Sequence, residues 1–169
     1  KDIFLRIDAG LLEEMFGGIG GEVLYRPFNR RTSLGLSVHK LKQRDYDQRF
    51  SFREYQTTSG HLSVYSDLPY KISSHIMIGK YLAGDVGATF ELSRSYRNGA
   101  KFGIFATFTD VSREQFGEGS FDKGIFFNVP IYKDFLNYTW RPLTKDPGAK
   151  LNRKYTLYDL LIKFKPYND

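Results

Sequence analysis

The stretch that decides the fold is Asp85-Val86-Gly87-Ala88-Thr89-Phe90-Glu91-Leu92-Ser93-Arg94-Ser95-Tyr96-Arg97-Asn98-Gly99-Ala100-Lys101-Phe102-Gly103-Ile104-Phe105-Ala106-Thr107-Phe108-Thr109. Before the turn, Val86, Ala88, Phe90 and Leu92 share one face, and Asp85, Gly87, Thr89, Glu91 and Ser93 share the other. After it, Phe102, Ile104, Ala106 and Phe108 oppose Gly103, Phe105, Thr107 and Thr109. Side chains of a strand alternate between faces, so a period of two predicts two strands, each with one apolar side. Asn98-Gly99 between them predicts a hairpin, because both residues accept positive φ and match the strand twist.

The same period extends outward in both directions. Leu5, Ile7, Ala9 and Leu11 oppose Arg6, Asp8 and Gly10, and Val23 and Tyr25 oppose Glu22 and Arg26. Leu34, Leu36 and Val38 oppose Ser33, Gly35, Ser37 and His39. Further runs lie at Leu62–Tyr65, His75–Gly79, Gly124–Val129 and, more weakly, Asn137–Arg141. At the end, Tyr158, Leu160, Ile162 and Phe164 oppose Asp159, Leu161 and Lys163. The reading is about ten strands and no helix.

Composition narrows the class. The 169 residues suit one domain, read as 1–169, and the formal net charge is +6. Absence of Cys excludes a disulfide framework, thiolate metal sites and a thiol nucleophile. No run approaches the ~18 apolar residues of a membrane helix. The chain opens Lys1-Asp2-Ile3-Phe4 inside a strand pattern with no leader, as expected of a processed or excised segment. Mean hydropathy is −0.43, yet a transmembrane β-barrel is also polar on average, since lumen-facing residues dilute its lipid-facing ones. The 17% aromatic content fits such a barrel and fits a soluble sandwich.

Loops and charges separate the two. Residues 13–19, 42–58, 110–122 and 142–155 read as long connections, with Ala83-Gly84 a short exception. Residues 27–31, 66–72, 95–100 and 130–136 read as shorter ones. Long loops on one rim and short turns on the other are the outer-membrane barrel arrangement. Arg6, Asp8, Glu22, Arg26, Asp85, Glu91 and Asp159 fall opposite apolar neighbours, where a barrel holds a wet, charged lumen. In a sandwich they would be the solvated outside. Tyr25, Phe28, Tyr70, Tyr96, Tyr132 and Phe135 flank the short-turn rim, and Tyr46, Tyr55, Tyr81 and Trp140 the other, as headgroup-level girdles do. The expected fold is an all-β, antiparallel up-and-down transmembrane barrel.

Four blocks carry a family resemblance: Glu14-Met15-Phe16-Gly17-Gly18-Ile19-Gly20-Gly21-Glu22-Val23-Leu24-Tyr25-Arg26-Pro27; Lys42-Gln43-Arg44-Asp45-Tyr46; Gly79-Lys80-Tyr81-Leu82-Ala83-Gly84-Asp85-Val86-Gly87-Ala88-Thr89; and Phe116-Gly117-Glu118-Gly119-Ser120-Phe121-Asp122-Lys123-Gly124. In this order they resemble the C-terminal part of the YjbH family of exopolysaccharide- and capsule-biosynthesis outer-membrane proteins. The resemblance implies a barrel in the Gram-negative outer membrane, part of a longer protein, working with polysaccharide export machinery. It supplies no catalytic residues.

No constellation stands out as chemistry. In the loop 110–123, Glu114, Glu118 and Asp122 could serve as paired glycosidase carboxylates or Ca²⁺ ligands, but three acids among glycines are unspecific, and a glycine-shaped loop with Asp122 and Lys123 paired locally explains them as well. His39, His61 and His75 lack ligand spacing and read as lumen or rim residues. Gly17–Gly21 lacks the following Lys-Ser/Thr of a phosphate loop and reads as a tight bend or bulge. The basic stretch with Arg44, Arg49 and Arg53 interleaves aromatics, but Asp45, Asp47 and Glu54 dilute it. Lipopolysaccharide phosphate or an acidic glycan suits it better than nucleic acid. The expected function is non-enzymatic export or assembly of an exopolysaccharide, with no cofactor or metal. A barrel enzyme using loop carboxylates, and a soluble glycan-binding sandwich, are the alternatives.

Overall fold

The computed structural model describes residues 2–47, 49–112, 121–132, 136–140 and 156–164. Nine strands form one antiparallel sheet in strict chain order: β1 (Ile3–Leu11), β2 (Phe16–Tyr25), β3 (Thr32–Arg44), β4 (Phe52–Leu68), β5 (Ile72–Lys80), β6 (Val86–Ser95), β7 (Lys101–Thr109), β8 (Asp122–Tyr132) and β9 (Leu136–Trp140). The fold is therefore all-β and up-and-down. Among the described residues the sheet is not closed on itself.

The β6–β7 hairpin pairs Phe90 with Ala106 and Leu92 with Ile104, as the alternation requires. Its turn differs in detail. Gly99 N–H donates to Tyr96 C=O at 3.0 Å, so Arg97 and Asn98 are the central residues. Only Gly99 is left-handed, at φ 82°. A tight turn followed by one left-handed glycine keeps the strand twist without forcing Asn98 positive.

Parity is preserved through every pairing from β1 to β8, so the two faces are continuous, and their burial is inverted relative to a soluble sheet. Ile7, Val23, Leu36, Leu62, Ile78, Phe90, Ile104 and Ile125 are exposed on the apolar face. Glu22, Ser33, His39, Ser59, His61, Ser63, Thr89, Ser93 and Thr107 are buried on the polar one. Ile104 is 50% exposed while Thr107 on the same strand is 4%.

Residues 157–164 do not form the tenth strand that alternation suggested. They form a helix, α1 (Leu157–Phe164). Leu160-Leu161-Ile162 is apolar at consecutive positions, which a helix accommodates and a one-sided strand does not. Thr156 caps it: Asp159 N–H donates to Thr156 Oγ1 at 3.1 Å, and Thr156 N–H donates back to Asp159 Oδ2 at 3.1 Å, a reciprocal capping box. Leu157, Tyr158 and Leu161 pack with Leu24, Tyr65 and Phe4 on the polar face. A flat sheet would hold β2 and β7 roughly 24 Å apart. One helical turn touches both, through Glu22 and Lys101, so the sheet curls around α1 with its polar face concave.

Two of the loops foreseen are mostly strand. Residues 16–19 belong to β2, and 42–44 and 52–58 belong to β3 and β4, which run 13 and 17 residues. Gly17–Gly21 is straight strand, not a bend. Glycine is required for close approach instead: a Cβ on Gly20 would meet the His39 ring packed over it. The contrast between long and short connections is correspondingly smaller than the alternation implied.

Candidate functional site

The concave face concentrates the charges. Arg6 on β1 lies directly opposite Glu22 on β2. Its Nη2 donates to Glu22 Oε2 at 2.8 Å, and its Nε lies 3.4 Å from Asp8 Oδ2. His39 Nε2 on β3 is 3.6 Å from the same Asp8 oxygen. Glu22 also receives the first helical N–H: Leu157 N lies 3.3 Å from Oε1 and 3.2 Å from Oε2. A carboxylate at a helix N-terminus meets both unsatisfied donors and the positive end of the dipole. Buried charges of this kind persist only when paired, and here strand register and helix placement supply the partners.

The helix is held by rings as well as charge. Tyr65 on β4 stacks on Tyr158 with centroids 4.2 Å apart and on His75 of β5 at 4.3 Å. Tyr158 Oη donates to Asp67 at 2.8 Å, and the Arg26 guanidinium lies 5.1 Å from the Tyr158 ring centre. Asp159, which the alternation put on a strand facing a lumen, instead lies in the first turn of α1, 4.0 Å from Lys101 Nζ. The remaining charges of the set lie further round: Glu91 Oε2 is 3.9 Å from His75 Nδ1, and Asp85 is buried in the β5–β6 turn. Tyr81 is fully buried rather than part of a rim girdle. Its hydroxyl bonds Thr89 at 2.6 Å, Thr89 bonds Thr107 at 2.9 Å, and burial raises the Tyr81 pKa.

On the rim bearing the β3–β4 turn, the basic residues part company. Arg44 is buried and donates to the carbonyls of Glu13, Glu14 and Arg49 at 3.3, 2.8 and 2.9 Å. It staples two turns together, above Phe16, Leu41 and Leu82. Arg49 and Arg53 are exposed, and Arg53 stacks on Tyr46 with its guanidinium carbon 4.3 Å from the ring centre. Lys123 Nζ lies 4.7 Å from the Phe121 ring centre, and Asp122 opens β8 opposite Thr107. Glu114 and Glu118 lie outside the described residues.

Sequence reasoning missed the ring stack, the Glu22 cap and Lys101 as a partner of Asp159. The spacing Thr156-x-x-Asp159 was the available signal for the cap. Among the described residues no group of three His, Asp or Glu is arranged to hold a metal ion. The arrangement is a charged concave wall with a helix docked on it.

The uncharacterized lipoprotein YjbH of Escherichia coli (strain K12) is 39% identical over 171 residues, covering 92% of this chain. The chain spans 24% of that relative's length. No solved structure matches. The family model for YjbH, described as exopolysaccharide biosynthesis protein YbjH, matches residues 1–163, and the chain belongs to that family.

Proposed function

We propose that this chain is the barrel-forming, C-terminal portion of a longer outer-membrane protein of a Gram-negative cell, and that it assists exopolysaccharide export or assembly without acting on the polymer chemically. The inverted sheet carries the reading. Across β1–β8 at ~4.8 Å per strand, with apolar rows ~20 Å long, the exposed band projects over roughly 700 Å². Soluble monomers rarely expose contiguous patches beyond ~300–600 Å², whereas an outer-membrane barrel carries an apolar band ~25 Å tall. A sandwich would bury this face under a second layer and leave the charged one wet; here the charged face is the buried one. Exposed Tyr25, Phe28, Tyr70 and Tyr96 lie at the other rim, where headgroups would lie.

Family membership supports the exopolysaccharide context. In this reading α1 plugs the lumen, so the polymer passes after α1 is displaced or through a neighbouring part of the longer protein. The partners are the polysaccharide, outer-membrane lipid and other export proteins. The β3–β4 turn faces outward, and Arg26, Arg30 and Arg31 lie on the periplasmic rim. Cysteine labelling tests location and orientation together. Ser51→Cys in the full-length protein reacts with a membrane-impermeant maleimide on intact cells, and Asn98→Cys reacts only after lysis. Labelling of Asn98→Cys alone inverts the topology, and labelling of neither on intact cells removes the protein from the cell surface.

A further inference from the structure

We infer that the projecting tip of the β3–β4 hairpin is a binding site for an anionic saccharide. The inference rests on the exopolysaccharide reading above and gives it a ligand class. The hairpin outgrows its neighbour: β4 pairs with β5 only from Gly60 onward, so Phe52 and Gln56–Ser59 pair with β3 alone. Register slips between Lys42 and Arg44, which sets Gln43 against the extra residues of β4. A bulge of this kind re-aims side chains, and here it leaves a shallow, solvent-open hollow of about 580 Å³ lined in part by Gln43, Asp45, Tyr46, Arg53 and Glu54.

The lining has the chemistry of sugar recognition. Tyr46, in the lining, is 71% exposed, a flat apolar face on which the C–H side of a pyranose stacks, and Phe50, outside the lining on the same turn, is 84% exposed. Arg53 backs Tyr46 at 4.3 Å and fixes that ring, so little side-chain freedom is lost on binding. Asp45, Glu54 and Gln43 offer planar acceptors and an amide to hydroxyl groups. Arg53 supplies the cationic group of the lining for a carboxylate or phosphate, with Arg49 exposed on the same turn; Arg44, committed to backbone carbonyls, does not. The acids disfavour a densely phosphorylated surface and leave a sparsely charged sugar chain as the better match.

Two sources share this chemistry, an acidic exported polymer and the core sugars of lipopolysaccharide. The test is calorimetric titration of the full-length protein in detergent with three probes: tetragalacturonate, its carboxyl-reduced neutral form, and core oligosaccharide freed of lipid. The wild type binds an acidic probe more tightly than the neutral one. Tyr46→Ala weakens binding of every probe that binds by about tenfold, and Arg53→Gln abolishes the preference for charge. Phe50→Ser, at the exposed tip, repeats the loss if Tyr46→Ala folds poorly. Binding of tetragalacturonate identifies the exported polymer as the source, and binding of core oligosaccharide alone identifies lipopolysaccharide; either supports the site. Failure of all three probes, equal affinity for the neutral form, or variants that bind like the wild type overturns it. Such a failure leaves the surface labelling at Ser51→Cys unchanged, so it is distinct from failure of the membrane reading.

Discussion

Glu22 and Leu157 meet at the start of α1, where the Leu157 N–H lies 3.2 Å from one carboxylate oxygen of Glu22 and 3.3 Å from the other. The same carboxylate holds Arg6 at 2.8 Å. One buried acid thus satisfies a guanidinium of the wall and the first donor of the helix. Wall and helix share a single charge.

Replacing Glu22 by Gln leaves Arg6 with Asp8 and weakens the cap. The expected loss is about 2 kcal/mol, from the charge-assisted hydrogen bond and the helix cap, since Arg6 keeps Asp8. Denaturant unfolding in detergent measures it. Arg6→Met with Glu22→Met is expected to lose less than the two single variants together, because no charge of the pair is then left buried. A strictly additive loss contradicts the coupling.

Conductance reads the same contact differently. Eight-stranded barrels are already nearly filled by side chains, and α1 adds a helix to the concave side. In planar bilayers the unmodified full-length protein is expected to show small or no conductance. Joint replacement of Arg6 and Glu22 by Ala raises it by loosening α1. A conductance that the joint replacement leaves unchanged contradicts the plug.

Lipid contact has a depth signature. Phe90 lies mid-strand on the apolar face and Val86 at the strand end. Phe90→Arg is expected to cost ~2–4 kcal/mol and Val86→Arg ~0–1 kcal/mol, the fall from midplane to interface. Equal costs in lipid vesicles would argue against a bilayer around this face. Thr89 is unsuitable as a neutral control, because its buried hydroxyl bonds both Tyr81 and Thr107.

The alternation in β6 and β7 was legible to the residue, because a one-residue slip would move Phe90 and Ile104 to the charged face. The same logic placed Arg6, Asp8, Glu22 and Glu91 together on one face without revealing that Arg6 pairs with Glu22, which depends on the β1–β2 register. Two readings failed for local reasons. Leu160-Leu161-Ile162 carries apolar groups at both parities, so period two was ambiguous there, and the capping spacing from Thr156 to Asp159 would have decided it. Gly17–Gly21 looked like a bend because glycine usually marks one, whereas Gly20 makes room for the His39 ring and Gly18 and Gly21 lie against neighbouring backbone. Arg44 shows the limit for single charges: nothing in the sequence distinguishes it from Arg49 or Arg53, yet its guanidinium is spent on three backbone carbonyls.

The helix cap also bears on how the chain assembles. Every pairing within the sheet joins sequential neighbours, so strands can zip one after another with short loops to close. Docking of α1 on Glu22 joins positions 135 residues apart, against 16 for Arg6 and Glu22. Closing the longer loop costs about 2 kcal/mol more in chain entropy, and the contact gains nothing until β1 and β2 are in place to receive it. Assembly therefore has an order: a sheet formed from local pairings, then a late latch in which α1 reports that β1 and β2 are correctly made.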